Sequence, residues 1–429
     1  MEKTFMPDFK DQEQLYEHQL EGLKWTLSHA YKGSPFYRKH LEATGVIPED
    51  IKSLDDLSNL PFTSGNDLKE GYPLPLLSVP EKDVVRIHAS SGTTGKRKIL
   101  SYTQNDLDEW FDMFARCYEI AGLTCEDRVQ IAVGYGVWTA GMGFQLGCER
   151  LGAMAIPVGP GNIDMQCQFL VDLQSTVFCC TASMALLMAE EINKRGIKDQ
   201  INLKKIILGS ERCSSAMWAK IKELMGLEDM FDITGMTELY GPGTGLDCPK
   251  HEGIHYWADK YILEILNPDT LKPVEDGEIG EMVVTTLCKE AVPLIRYRTR
   301  DLTRKISNLC SCGNILPMHD KIMGRSDDMI ILRGVNIYPG QIDEVLSSIP
   351  DVGSEYQLHL ERKDDGKDYM TIKVESRQGI DSVNTQDTTT KIKKMIKSKV
   401  MVSCDAHICA YGELPRYAGK AQRIFDNRS

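Results

Sequence analysis

Between residues 106 and 208 the chain repeats one rhythm, and that rhythm limits the fold more than any single residue does. Asp106–Ile120, Gly143–Leu151, Asp164–Leu173 and Met184–Lys194 carry apolar residues at helical spacing. Between them lie short apolar runs at Val129–Val133, Ala153–Val158, Thr176–Cys180 and Lys205–Leu208. Strands alternating with helices of this length predict a mostly parallel sheet covered by helices, an α/β fold. Ligands of such sheets bind at the carboxyl ends of the strands.

A second feature falls where such a ligand is expected. Val84-Val85-Arg86-Ile87 reads as a strand, and the segment His88-Ala89-Ser90-Ser91-Gly92-Thr93-Thr94-Gly95-Lys96 follows it. Gly92 and Gly95 free the backbone for tight turns. The hydroxyls of Ser90, Ser91, Thr93 and Thr94, with the N–H groups between them, can hold phosphate oxygens, and Lys96 adds a cation. The glycines are three apart and no Ser or Thr follows the lysine, so this is not a Walker loop.

A chain of 429 residues is long for one domain. An amphipathic helix is expected over residues 12–31, ended by Gly33-Ser34-Pro35. From about residue 256 to 324 the runs Tyr261–Ile265 and Gly280–Thr286 sit among Asn, Pro and Gly turns and predict a β-rich subdomain. A small α+β piece starts near Arg325. It has a strand at Met329–Arg333, a helix from Gln341, a strand at Tyr369–Glu375, a helix near 388–400 and a basic tail. The expected division is 1–326 and 327–429. The net charge of −12 argues against general nucleic-acid binding. No apolar run of membrane-spanning length occurs. Thirteen cysteines, with no export signal at the N-terminus, predict reduced thiols and a cytoplasmic protein. Most of them, Cys117, Cys148, Cys179 and Cys180 included, are expected in the core.

Cys248, His251, His255, Cys310 and Cys312 offer soft thiolate and imidazole ligands. Four of them would close a structural zinc site. Spacing leaves His251 and His255 both open, with His255 preferred.

Four further segments accompany the phosphate loop: Asp232-Ile233-Thr234-Gly235-Met236-Thr237-Glu238, Tyr297–Asp301, Gly324–Asp328 with Arg333–Asn336, and Gly419–Arg423. Their order and spacing resemble the adenylate-forming superfamily of acyl-CoA synthetases. The strings around Ser90–Lys96, Ile295–Arg304 and Gly324–Asn336 resemble its phenylacetate–CoA ligase branch. The resemblance implies a large N-terminal domain, a small mobile C-terminal one, and two reaction steps. A carboxylate attacks the α-phosphorus of ATP, releasing pyrophosphate; the thiol of coenzyme A then displaces AMP.

The resemblance also implies roles for residues. Ser90–Lys96 would hold the β,γ-phosphates, and Thr94 with Glu238 would hold Mg²⁺, a hard cation that takes oxygen ligands. Asp301 would accept from the ribose hydroxyls, while Ser210, Glu211, Asp232 and Thr234–Thr237 would line the adenine side. Lys420 would bridge carboxylate and α-phosphate, near Arg325. Asp327 would be the hinge, and Gly334 would line the thiol's route. Tyr135, Gly136 and Trp138 would wall the acyl pocket, against an aryl ring or, with Trp138 filling it, against a small acid. Thr234 stands where the family usually has a tyrosine stacked on adenine, a contact worth about 1 kcal/mol, with Tyr240 a candidate replacement. The expected activity is therefore an AMP-forming ligase joining an aryl acid such as phenylacetate to coenzyme A, with room for a homodimer. Two other readings are AMP transfer to a deazaflavin and a nucleotide-binding regulatory protein that does no chemistry. Lys420, Glu238 and Asp301 together argue against the latter.

Overall fold

The computed structural model describes residues 4–90, 97–333, 335–363, 366–377, 385–417 and 421–428. The chain forms two compact units. One comprises residues 1–180, 202–209 and 229–321; the other comprises 181–201, 210–228 and 322–429.

Local chemistry sets where helices begin and end. Asp11 accepts the Gln14 N–H at 3.0 Å and starts the helix Gln12–Gly33. Ser34 ends it, donating its own N–H to Ala30, and caps a second helix, Pro35–Glu42, that the sequence reading did not anticipate. Thr103 and Asp106 exchange hydrogen bonds of 3.0 and 3.1 Å at the start of Gln104–Ile120. Such reciprocal caps satisfy two N–H groups that a helix start leaves open.

The first unit is built on a nine-stranded sheet. Its order is 305–306, 318–319, 254–256, 241–247, 229–236, 205–209, 177–181, 128–131, 154–156. The predicted strands of the βαβ stretch are all in it. Arg128–Ile131 pairs parallel with Met154–Ile156 and with Val177–Thr181, and Lys205–Gly209 pairs parallel with Asp229–Met236. Beyond Asp229–Met236 every pairing is antiparallel. The sheet is therefore mixed, and part of the expected β-rich subdomain extends it. The rest of that segment forms a separate antiparallel array of Tyr261–Leu266, Gly280–Thr286 and Tyr297–Thr303. Helices Gln104–Ile120 and Ala140–Leu151 approach so closely that a Cβ at Gly147 would lie 2.4 Å from Phe114 Cβ. Only glycine lets these backbones come together there.

One placement needs correcting. The strand before the phosphate loop is Arg86–Ala89, and it pairs antiparallel with Ile99–Tyr102 in a two-stranded ribbon of its own. The loop thus does not leave the carboxyl end of a strand of the large sheet. Residues 84–87 are β-branched enough to signal a strand, but nothing local says which partner it takes.

In the second unit the hairpin Val352–Arg362/Asp368–Ser376 carries parallel strands on both flanks, Asp405–Cys409 and Ile424–Asn427. The expected basic tail is therefore a sheet strand. Helices Pro339–Ser347 and Thr385–Lys399 cover a core that includes Leu332, Ile342, Leu358, Ile372, Ile392 and Ile396. Helices Ala182–Arg195 and Ser215–Met225 cluster with this unit. Among the described residues no helix is long and apolar enough to cross a membrane. The cysteines expected in the core, Cys117, Cys148, Cys179 and Cys180, are all buried.

Candidate active site

The strand Asp229–Met236 runs into a tight turn and returns as Gly241–Asp247. The backbone is unusual there: φ is 149° at Gly235, 82° at Tyr240 and 135° at Gly241. A Cβ at Gly235 would lie 2.2 Å from the Gly241 carbonyl oxygen. Three side chains hold this turn. The Tyr102 hydroxyl donates to the Tyr240 carbonyl at 2.7 Å, and the Trp110 indole to Pro242 at 2.8 Å. The Lys289 ammonium donates to the Glu238 carbonyl at 2.9 Å.

Lys289 is fully buried and lies over the rings of Tyr102 and Tyr240, 4.9 and 4.7 Å from their centroids. Burial pushes its pKa down to about 8, against the pull of the Asp106 and Glu238 carboxylates. Nothing in the run Leu287–Ala291 signals this role, and the sequence reading missed it. Tyr240 is likewise buried, with its hydroxyl 3.4 Å from Cys288 Sγ. Its ring is committed to the core and offers no exposed face on which a base could stack, contrary to the expectation that it stands in for a tyrosine at position 234.

The turn delivers Glu238 to a polar cluster. Lys98 Nζ lies 2.6 Å from Glu238 Oε1, and the Tyr297 hydroxyl donates to the same oxygen at 3.2 Å. Burial alone would raise the Glu238 carboxyl; the Lys98 ammonium outweighs it and holds the pKa below the usual value. Tyr297 starts the strand that also carries Asp301, whose N–H donates to Thr299 Oγ1 at 3.0 Å.

Ser91–Lys96, with Thr94 among them, lie outside the described residues, as do Gly334, Gly419 and Lys420. The base of the phosphate loop is described. Ser90 N–H donates to the Lys98 carbonyl at 3.0 Å and closes the loop's two ends. Ala89 N–H donates to Val137 O at 2.8 Å, and His88 Nδ1 lies 3.2 Å from that same oxygen. The candidate acyl-pocket segment is thereby fixed to the loop's entry strand. Burial holds the His88 pKa down to about 4, so its ring is neutral at pH 7 and Nδ1 can carry the proton it donates. Tyr135 and Trp138 are half-buried and Gly136 is exposed. The Tyr135 ring covers Gly141, and the Trp138 ring lies over Gly134, where a Cβ would come within 2.7 Å of it.

Asp232 donates its N–H to Asp247 Oδ1 at 2.6 Å. Burial, with Asp247 adding to it, pushes the Asp232 carboxyl up to about 7 against the opposing Lys321, 3.9 Å away. Thr234 is half-buried on the same strand.

In the second unit Ser210 has φ 69° and Glu211 is a bridge. Its carboxylate accepts the Ser183 N–H at 2.6 Å and the N–H of Ala421, the residue after Lys420, at 2.9 Å. The two segments singled out from sequence thus meet. Arg325 forks onto Asp327 with bonds of 2.9 and 3.0 Å.

The cysteine–histidine group also assembles. The ligand atoms of Cys248, His255, Cys310 and Cys312 all lie within 4.8 Å of one another. Cys248 Sγ is 3.5 Å from Cys310 Sγ, and Cys312 Sγ is 3.4 Å from His255 Nε2. Sulfurs around a tetrahedral zinc sit about 3.8 Å apart, given Zn–S bonds of about 2.3 Å. His255 Nδ1 donates to the Leu316 carbonyl at 3.0 Å, which leaves the Nε2 lone pair facing the sulfurs. The N–H groups of Cys312 and Asn314 point at Cys310 and Cys312 sulfur. His251 is engaged elsewhere: its two nitrogens lie 2.8 and 3.0 Å from Asp247 and Asp229, and the Asp247 bond raises its pKa.

The family model for AMP-binding enzymes matches residues 12–288, and that for the AMP-binding enzyme C-terminal domain matches 334–428. The phenylacetate–coenzyme A ligase of Pseudomonas putida is 39% identical over 421 residues, 96% of this chain and 94% of that protein. That of Escherichia coli K12 is 39% identical over 423 residues, 97% of this chain and 96% of that protein. A crystal structure of 2-hydroxyisobutyryl-CoA ligase in the postadenylation state superposes with a TM-score of 0.88 at 25% identity, covering 98% of this chain and 91% of the other. The chain belongs to the AMP-binding, adenylate-forming enzyme family, in its phenylacetate–coenzyme A ligase branch, and is an AMP-forming acid–thiol ligase.

Proposed function

We propose that the acid is phenylacetate or a close aryl analogue. The single observation that carries this is the identity of 39% to phenylacetate–coenzyme A ligases along nearly the whole chain. The half-buried rings of Tyr135 and Trp138, tied through Val137 to the phosphate-loop base, support it as an aromatic acyl wall. In the first step a carboxylate oxygen bonds to the α-phosphorus as the bond to pyrophosphate breaks. In the second the thiol sulfur bonds to the acyl carbon, the acyl–phosphate bond breaks to free AMP, and the thiol proton is released.

Glu238, buried and ionised on its turn, with Thr94 from the loop would hold Mg²⁺, which supplies charge neutralisation on the phosphates when bound. Ser90–Lys96 would cradle the β,γ-phosphates and Asp301 the ribose. Asp232, Thr234–Thr237, Ser210 and Glu211 would face the base. Lys420, with Arg325 nearby, would serve adenylation, Asp327 would act as hinge between a body of 1–326 and a mobile domain of 327–429, and Gly334 would line the thiol's path. Cys248, His255, Cys310 and Cys312 would bind a structural zinc.

The acid preference is tested by initial rates of coenzyme A-dependent AMP formation with phenylacetate, bulkier aryl acids and 2-hydroxyisobutyrate. Trp138→Ala should fold, because Trp138 is not a fully buried core residue. Its kcat/KM should fall about tenfold for phenylacetate and rise for a bulkier acid, since one apolar pocket contact is worth about 1–3 kcal/mol. An unaltered acid profile in the variant would remove Trp138 from the acyl wall.

A further inference from the structure

Lys98 closes a basic run, Lys96-Arg97-Lys98, of which only Lys96 has a role assigned from sequence. The Lys98 ammonium lies 2.6 Å from Glu238 Oε1 and 3.5 Å from the Tyr297 hydroxyl. The side chains of Lys98 and Glu238 are only 22% and 10% exposed. The Lys98 backbone is pinned, because its carbonyl accepts the Ser90 N–H at the loop base. Room for the stem is provided by Gly65, where a Cβ would meet Lys98 Cε and Nζ at 3.0 Å.

Drawing two charges out of water costs several kcal/mol per ion, and a simple ion pair seldom recovers it. A carboxylate needed for a divalent cation must nevertheless stay ionised before that cation arrives. A neighbouring monocation achieves this, but a doubly charged ion arriving at the same carboxylate competes with it for Oε1 and repels it. The anions that accompany such an ion are phosphate oxygens, and the phosphate loop begins next to Lys98.

We propose that Lys98 is an exchangeable counter-ion: it pairs with Glu238 in the nucleotide-free enzyme and passes to the triphosphate when a divalent cation takes the carboxylate. This rests on the reading of Glu238 as a cation ligand. The exchange makes cation and nucleotide bind as one event. A cation alone must evict Lys98 without offering it a new partner, so it binds poorly.

The test uses Mn²⁺ as a paramagnetic probe, with water-proton relaxation reading its binding to the whole enzyme. Nucleotide-free wild type should bind Mn²⁺ at least tenfold more weakly at this site than Lys98→Met. With ATP present the order should reverse: Lys98→Met should show a KM for ATP at least tenfold higher. Its conversion of pre-formed acyl-adenylate to thioester should be unchanged. Lys98→Arg keeps the charge, and should keep the weak nucleotide-free Mn²⁺ binding even if the Met variant folds poorly. Lys98→Met with wild-type Mn²⁺ affinity and wild-type KM for ATP would overturn the exchange. Glu238→Gln is the separate control. If it binds Mn²⁺ with ATP as tightly as wild type, the reading of Glu238 fails, and the inference falls with it.

Discussion

Lys420→Ala should fold normally and lose adenylation by on the order of 10²-fold or more, the scale expected when a preorganised electrostatic donor to a developing charge is removed. Pyrophosphate release reads that step. Thioester formation from pre-formed acyl-adenylate should stay within a few-fold of wild type, because a small domain that reorients about Asp327 between the steps would by then have turned Lys420 away. The described surroundings support this assignment. Ala421, the next residue, is anchored to Glu211, and the other oxygen of Glu211 holds the start of the helix Ala182–Arg195. A lysine at the frayed end of a chain would have no such anchor beside it. Equal loss in both half-reactions would contradict a role confined to adenylation.

The second large effect concerns metal. Purified protein should contain close to one zinc per chain by elemental analysis. The double change Cys310→Ser, Cys312→Ser should remove it and lower the melting temperature by on the order of 10 °C, because a structural metal contributes folding free energy directly. The four ligand atoms bind together strands distant in sequence. Cys248 follows Gly241–Asp247 and His255 lies on Ile254–Tyr256, whereas Cys310 and Cys312 come from the loop between Lys305–Ile306 and Met318–His319. Without metal, burial pushes the Cys310 thiol up to about 12. Binding must therefore release protons, and zinc affinity should rise with pH. Metal-free wild type with unchanged stability would eliminate the site.

What could be read from sequence was whatever is written locally. Asp11 and Thr103 cap helices that apolar spacing already marks, whereas Ser34 caps Pro35–Glu42, a helix that Gly33-Ser34-Pro35 disguised as a simple stop. The short apolar runs between 128 and 209 are strands because their spacing allows little else. Glu238, Asp301 and Glu211 stood out because the segments that carry them resemble those of the adenylate-forming enzymes. What stayed hidden depends on partners far along the chain. The ribbon that holds Arg86–Ala89 and the antiparallel extension of the sheet are long-range pairings without local signal. His251 was separated from His255 only by Asp229 and Asp247, which claim its two nitrogens in space. Lys98 and Lys289 look like surface lysines in sequence. A cluster of three basic residues beside an anion-binding loop was the one hint for Lys98, and Lys289 offered none.

The most direct measurement of the central claim follows AMP formation by the purified enzyme with ATP, Mg²⁺ and phenylacetate, with and without coenzyme A. The account predicts stoichiometric phenylacetyl-coenzyme A and AMP, pyrophosphate rather than inorganic phosphate, and a kcat/KM for phenylacetate at least tenfold above that for 2-hydroxyisobutyrate. ADP as product, AMP release indifferent to coenzyme A, or a preference for the small aliphatic acid would contradict it.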